Sequence, residues 1–302
     1  MKKTRCFLFF LLGLMILTVS VPSIFPAEEK NNWPKRVLIT NDNGIEDIKI
    51  IELAKAFSKI AETTVVAPME DRSGSSHFLT VSKKGKIQVS HRKINQNIDV
   101  YAVDGYPADC VVLALAGIMR DNPPDLVVSG INGGANLGKD WMFSGTIGAA
   151  RIAAFAGFPA IAVSGLDSGI PGAVETASGW VVKLAQSRLV RELNPLEYIT
   201  VSIPRIPPAD IRGVRYAFRA EIQEIPLLEQ ITAPSKDNHF ETWAITGSEK
   251  LSDTLPPDCD ISLYQKGYII VVPMIADEVA REKLHILKSK PQLLPDWDAR
   301  NF

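Results

Sequence analysis

The sequence predicts an α/β fold: a mostly parallel sheet flanked by helices on both faces, with a β-rich extension toward the C-terminus. Short apolar runs of strand length alternate with segments of helical periodicity between Arg36 and Ser164. The runs are apolar throughout rather than alternating, as strands buried on both faces are. Polar, glycine-bearing clusters follow several of them, at the carboxyl ends where such folds bind ligands.

Residues 1–27 stand apart from this pattern. Lys2, Lys3 and Arg5 precede an apolar run from Cys6 to about Val19, and then come Ser20, Val21, Pro22 and Ser23. A charged start, an apolar middle and a small-residue exit make a secretory signal peptide, with small residues at Val21 and Ser23 and again at Ala27 for cleavage. The alternative is an uncleaved membrane anchor, since the apolar stretch extended to Phe25 approaches spanning length. Either reading puts the folded part outside the cytoplasm, in a periplasmic or other extracytoplasmic space. Cys6 precedes the apolar run and is not placed as a lipoprotein cysteine.

A polar linker, Glu28 to Lys35, leads into one domain expected over residues 35–302. Arg36–Thr40 is a short apolar strand ending in a turn. Ile48, Ile51, Ala54 and Ala56-Phe57 recur at helical spacing, and Thr63–Ala67 is the next strand, stopped by Pro68. These make a β-α-β unit. Glu70 to Ser76 is polar and turn-rich. Ile87–His91 and Asp99–Val103 read as a hairpin joined by Asn95-Gln96-Asn97. Pro107 opens a helix running to Arg120. Leu126–Ser129 is another buried strand, followed by the glycine-rich stretch Gly130–Gly138, a helix from about Ser144 to Gly157, and the strand Ala160–Ser164. From about Leu193 the extension begins: Tyr198–Ile203 is a strand, Pro204, Pro207 and Pro208 mark turns, and Asp260–Pro273 reads as a strand pair around Lys266-Gly267.

Bulk composition narrows the partners. The chain has 302 residues, 46% hydrophobic and 22% charged, an ordinary globular mixture. Lys plus Arg (33) nearly cancels Asp plus Glu (34), so no basic footprint for a nucleic-acid polymer exists. A single nucleotide needs no such surface. Cys110 and Cys259 lie far apart with no metal-like spacing, and are expected as small buried hydrophobes. An oxidising compartment would permit a disulfide between them, which sequence leaves open.

The chemistry-bearing residues lie after the strands. Asn41-Asp42-Asn43-Gly44 offers one carboxylate and amide oxygens, the donors that Mg²⁺ or Mn²⁺ prefer, although the same letters make an ordinary turn and helix cap. Ser73 and Asn132 add uncharged oxygens at the ends of two other strands. Gly130, Gly133, Gly134 and Gly138 permit close backbone approach, and Ser144-Gly145-Thr146 falls where a helix begins, so exposed amides there suit a phosphate. Ser144 is equally placed to cap that helix. Neither the dinucleotide glycine pattern nor the phosphate-loop lysine pattern occurs, and Ser75 and Ser76 lack a nucleophile-elbow context. His77 and His91 have no partners at metal-ligand spacing. His77, close to Ser73 in sequence, is a candidate general acid.

On these residues the chain resembles the stationary-phase survival protein E (SurE) nucleotidases. The matching segments are Leu38–Ile45, Val65–Pro68 with Arg72–Gly74, Gly105–Val111, Pro124–Asn132 continuing through Gly134–Gly138 to Ser144–Thr146, and Asp258–Asp260 with Lys266–Tyr268. The resemblance implies a Rossmann-like core, hydrolysis of nucleoside 5′- and 3′-monophosphates, and homodimers or homotetramers with exchanged C-terminal elements. It implies a divalent metal, Mg or Mn, on Asp42, Asn43, Ser73 and Asn132; the mechanism expected from these residues makes Asp42 and Asn43 catalytic and sets Asn136, Ser144, Gly145 and Thr146 on the phosphate. Position 43 is a departure, being Asn where the family has Asp, which lowers the expected metal affinity. Family patterns also carry Arg at position 133 and Asp at position 69, here Gly133 and Met69. The export signal is a further departure from a usually cytoplasmic family. An exported relative that binds a nucleotide or metal with weak or no turnover is the alternative. Asn43-Gly44 is also a pair that deamidates where the backbone is mobile.

Overall fold

Three layers follow from the two-sided burial of the central strands. In this computed structural model the described residues are 33–80, 85–221, 224–232, 240–250 and 254–290. The segment read as a signal peptide, residues 1–27, lies outside them. The strands are β1 (Arg36–Thr40), β2 (Glu62–Pro68), β3 (Val89–Asn95), β4 (Ile98–Val103), β5 (Leu126–Ser129), β6 (Ala160–Ser164), β7 (Glu197–Ser202), β8 (Val214–Tyr216), β9 (Glu224–Thr232), β10 (Thr242–Lys250) and β11 (Ile269–Ile275). The helices are α1 (Ile48–Phe57), α2 (Pro107–Leu113), α3 (Gly145–Phe155), α4 (Ala173–Ala185), α5 (Arg188–Arg191), α6 (Asp260–Gln265) and α7 (Arg281–Lys288).

Nine strands form one sheet in the order β3-β4-β2-β1-β5-β6-β7-β11-β8. From β4 to β7 all neighbours are parallel, β3 is antiparallel to β4, and β11 is antiparallel to β7 and parallel to β8. Val37 and Ile39 of β1 face a core shared with Ile50, Leu53 and Phe57 of α1 and Val181 of α4. Leu38 faces the other, with Val111 of α2 and Ala149, Ala150 and Ala153 of α3. Small residues along α3 let it lie close on the sheet, which matters below. Chain order departs from β1 to β2 on one side and returns at β5 on the other, so β1 and β5 flank a topological switch point.

Several expectations shift. The helix expected over Pro107–Arg120 is α-helical only to Leu113 and widens to a π-turn over Ala114–Ile118, before Pro123-Pro124 end any continuation. The hairpin at Ile87–His91 begins instead at Val89 and runs to Asn95, leaving Gln96-Asn97 as the turn. Asp260–Pro273 is not a strand pair. Asp260–Gln265 is α6, closed by Gly267 in the left-handed region (φ 83°), and only Ile269 onward is strand. Alternating Ile261 and Leu263 imitate a strand, but the Asp260 carboxylate accepts from the Ile261 N–H at 2.8 Å and nucleates the turn. Beyond position 193, β7, β11 and β8 extend the main sheet, while β9 and β10 pair only with each other. Cys110 and Cys259 are both free and buried. Among the described residues no helix is long and apolar enough to cross a membrane.

Candidate active site

β2, β1 and β5 are adjacent and parallel, so the loops leaving their carboxyl ends must emerge side by side. Hydrogen bonds then stitch them. The Arg72 N–H donates to the Asp42 carbonyl at 2.7 Å and the Ile45 N–H to the Pro68 carbonyl at 2.8 Å. The Gly130 N–H donates to the Thr40 carbonyl at 2.8 Å. Gly44 (φ 97°) is required twice over, since a Cβ there would also lie 3.1 Å from the Glu70 carbonyl carbon. With the Asn41 amide donating to the Gly44 carbonyl at 2.8 Å, this turn is held on both sides, which opposes deamidation at Asn43.

Asp42 is the centre of the assembly. It is 2% exposed, and Thr146 at the start of α3 donates to both of its oxygens, the hydroxyl to Oδ1 at 2.7 Å and the N–H to Oδ2 at 3.1 Å. Burial raises its carboxyl above the usual range, the Thr146 bonds pull it back, and the Asp71 charge pushes the same way as burial. Beside it, Asn41 Oδ1 and Asn43 Oδ1 are buried acceptors with no donor.

The other expected residues are placed as follows. Ser73 is exposed on the β2 loop, its N–H donating to Asp71 Oδ1 at 2.8 Å. Asn132 is held through backbone bonds to Val163, Gly165 and Leu166, and its Nδ2 donates to the Gly134 carbonyl at 2.8 Å. Asn136 is buried, and its Nδ2 donates to the Ser164 hydroxyl at 2.7 Å, so this amide anchors its loop to β6. Ser144 caps α3, its Oγ accepting from the Ile147 N–H at 3.1 Å. Gly145 sits against Asp42, where a Cβ would come within 2.9 Å of the Asp42 Cβ. Thr146, expected on the phosphate, spends its donors on Asp42.

Sequence reasoning missed two features. Ser75, set aside for lack of an elbow, has a buried Oγ that would lie 2.7 Å from a Cβ on Gly145, which places it on the floor of the site. Arg219 and Asp260 brace the glycine-rich loop from the C-terminal half. Asp260 is fully buried, lies 3.3 Å from Arg219 Nη1, and accepts from the Gly138 N–H at 2.8 Å and the Ala220 N–H at 2.9 Å. Arg219 also donates to the Asn136 carbonyl and, at 2.6 Å, to the Thr200 hydroxyl. Burial lowers the Arg219 pKa, opposed by the charge of Asp260. Nothing in the sequence around Arg219 carries a periodic or motif signal.

Electrostatically the site holds few charges. Among the described residues no group of three or more His, Cys, Asp or Glu side chains gathers as a metal cluster, so an ion here would rest on mostly neutral oxygens. A cavity of about 240 Å³ between α4 and the Ile203–Val214 segment has Thr176 as its one polar side chain and is unsuited to a phosphate. The strand-end loops are the better candidate.

Comparison with known proteins finds relatives of the whole fold. The model of the family described as Survival protein SurE matches residues 37–223. The 5′-nucleotidase SurE of Nitrosomonas eutropha is 40% identical over 254 residues, covering 84% of this chain and 98% of the relative. That of Haemophilus influenzae is 36% identical over 257 residues, covering 84% and 96%. The crystal structure of the SurE protein from Aquifex aeolicus superposes with a TM-score of 0.67 at 27% identity, covering 85% of this chain and 99% of that one.

Proposed function

The chain belongs to the SurE family and is a phosphoric monoester hydrolase, and from that premise we propose that it is a divalent-metal-dependent nucleotidase acting on nucleoside 5′- and 3′-monophosphates or similar small phosphate monoesters. The observation that carries the reading is the buried Asp42 carboxylate held at the N-terminus of α3, with buried donorless oxygens on its sequence neighbours Asn41 and Asn43. Buried acceptors without donors are costly, and a hard cation satisfies them. These residues therefore fit a Mg or Mn ion. Asp42, Asn43, Ser73 and Asn132 would hold it, and it would supply Lewis acidity and charge neutralisation at the phosphoryl oxygens.

The remaining work falls to the chain itself. Thr146 fixes the orientation of the Asp42 carboxylate. The Gly145 backbone N–H and the positive end of α3 are offered to the phosphate oxygens, while the Thr146 and Ile147 N–H groups are taken by Asp42 and by the capping Ser144 hydroxyl. Asn136, locked to Ser164, and the Arg219–Asp260 brace hold the glycine-rich wall in place. Assaying AMP, 3′-AMP and p-nitrophenyl phosphate with Mn²⁺, with Mg²⁺ and with EDTA tests the reading. Metal-dependent phosphate release supports it; nucleotide or metal binding without turnover, or undiminished turnover in EDTA, overturns it.

Two further proposals concern setting and assembly. A homodimer or homotetramer is supported by the β9–β10 hairpin, which exposes Leu228 (58%), Trp243 (54%) and Ile245 (74%) although a lone two-stranded hairpin is marginal in water. Light scattering before and after Trp243→Glu checks this. Export is supported by the pattern of residues 1–27, and cell fractionation with N-terminal sequencing of the mature chain checks it.

A further inference from the structure

The segment Ser75–His77 lies directly on the first turn of α3. A Cβ on Gly145 would meet Ser75 Oγ at 2.7 Å, and one on Gly148 would meet the Ser76 carbonyl oxygen at 2.1 Å and the His77 nitrogen at 2.9 Å. The contact is locked from the other side: the Ser76 N–H donates to the Phe143 carbonyl at 3.0 Å, and the Ser76 hydroxyl to the Met142 carbonyl at 2.7 Å. Ser76 takes a left-handed backbone (φ 50°), an arrangement a non-glycine residue keeps only when its surroundings hold it there. The same turn of α3 that meets Asp42 at Gly145 thus meets the His77 backbone at Gly148.

The Ser76 contacts also fix the imidazole. A serine hydroxyl has one proton, and here it goes to the Met142 carbonyl, which can only accept. His77 Nδ1 lies 3.1 Å from the same Ser76 oxygen, so it must be the donor in that pair. Nδ1 carries a proton, and Nε2 is left as the working nitrogen of an exposed side chain. Ser76 is therefore a positioning residue.

Resting on the phosphatase reading above, we propose that His77, through Nε2–H of its imidazolium, is the general acid that protonates the leaving oxygen of the ester. A water oxygen forms the new bond to phosphorus and releases a proton to solvent. The bond from phosphorus to the ester oxygen breaks with its electron pair staying on that oxygen, and Nε2 delivers its proton there. The products are a free alcohol and inorganic phosphate, and the imidazole regains its proton from solvent. A nucleoside alkoxide is strongly basic and needs this proton; a nitrophenolate does not.

The test compares His77→Gln with the unaltered full chain across esters of graded leaving-group basicity, with Mn²⁺ throughout. The expected result is a fall in kcat of about 10²–10⁴-fold for AMP and 3′-AMP, against less than about tenfold for p-nitrophenyl phosphate. Ser76→Ala, which frees the imidazole without removing it, should produce a smaller fall confined to the nucleotides. Inorganic phosphate should bind both variants with unchanged affinity by calorimetry. Equal losses on both ester classes, or no loss on the nucleotides, would overturn the role of His77 and leave the phosphatase reading intact. An unaltered chain inactive on every ester would remove both.

Discussion

Thr146 holds Asp42 by both carboxylate oxygens, reaching across 104 positions of sequence to join the turn after β1 to the first turn of α3. The carboxylate is thereby aimed, but it is also taken out of water, and burial raises its pKa. A raised carboxyl favours folding fully below its ordinary range, and that contribution is lost as pH rises through the raised value. At neutral pH, with EDTA present, the buried Asp42 carboxyl therefore weighs against the fold. Asp42→Asn should abolish phosphatase activity yet melt at a higher temperature than the unaltered chain in EDTA. The difference should shrink as pH is lowered toward 4. A lower melting point at neutral pH would contradict this account of the site.

The hydroxyl of Thr146 can be removed without changing shape. Thr146→Val keeps the N–H bond to Oδ2 and deletes the one to Oδ1, a hydrogen bond to a charged group of about 1.5–3 kcal/mol. Denaturant unfolding should show a loss of that order, accompanied by reduced kcat because the carboxylate can now turn. Full activity would mean that the orientation of Asp42 does not limit turnover.

Gly145 and Gly148 predict a graded pair of defects. An alanine at 148 would drive its methyl into the Ser76 carbonyl at 2.1 Å, and backbone cannot rotate away. An alanine at 145 meets Ser75 Oγ at 2.7 Å, which can swing aside, but also the Asp42 Cβ at 2.9 Å. Overpacking costs about 1–3 kcal/mol, and Gly148→Ala should lie at or above the upper end. Gly145→Ala should cost less in stability and as much in activity, since it displaces Asp42 itself. Unfolding midpoints and kcat for the two variants, measured together, check the ordering.

How far the sequence went follows from where the signal lies. Parallel strands buried on both faces announce themselves as unbroken apolar runs, so β1, β2, β5 and β6 are legible, and with them the loops that must share an edge. That Asp42, Ser73 and Asn132 fall in the loops after β1, β2 and β5 is legible for the same reason. The edge pieces are less so: β3, exposed along its whole length, is legible as a hairpin strand but not in its bounds, and β8, with three residues, needs no hydrophobic pattern. α6 was hidden because six residues are too few to display a helical period. Arg219 escaped notice because its partners Asp260, Asn136 and Thr200 are remote in sequence, and an isolated arginine gives no hint that it is buried.

That buried pair supports a further expectation. Arg219→Met removes the cation from beside a fully buried Asp260, and breaking a buried pair from one side costs about 3–5 kcal/mol. Asp260 would still accept from the Gly138 and Ala220 N–H groups, so the loss should fall toward the lower end and the chain should remain folded. Activity should fall as well, because the Asn136 carbonyl loses its guanidinium donor and the glycine-rich wall loosens. Asp260→Asn leaves the buried guanidinium without its counter-charge and turns one carboxylate oxygen into a donor facing N–H groups, so it should cost at least as much on both counts. Denaturant midpoints and kcat on p-nitrophenyl phosphate decide this; a stability loss with kcat unchanged would make the brace purely structural.

Asn43 gives the clearest contrast between stability and metal binding. Its Oδ1 is a buried acceptor without a donor on the residue that follows Asp42. Asn43→Asp would place a second carboxylate there, and adjacent like charges disfavour each other without a counter-ion. In EDTA the variant should melt below the unaltered chain. In excess Mn²⁺ the order should reverse, because a ligand shell with one more negative charge binds the cation more tightly, and stabilisation grows as RT ln(1 + [L]/Kd). Calorimetric titration should show a Kd for Mn²⁺ lower by about tenfold or more, with roughly 1.4 kcal/mol gained per factor of ten. Melting curves whose order is the same with and without Mn²⁺ would place the ion somewhere other than beside Asn43.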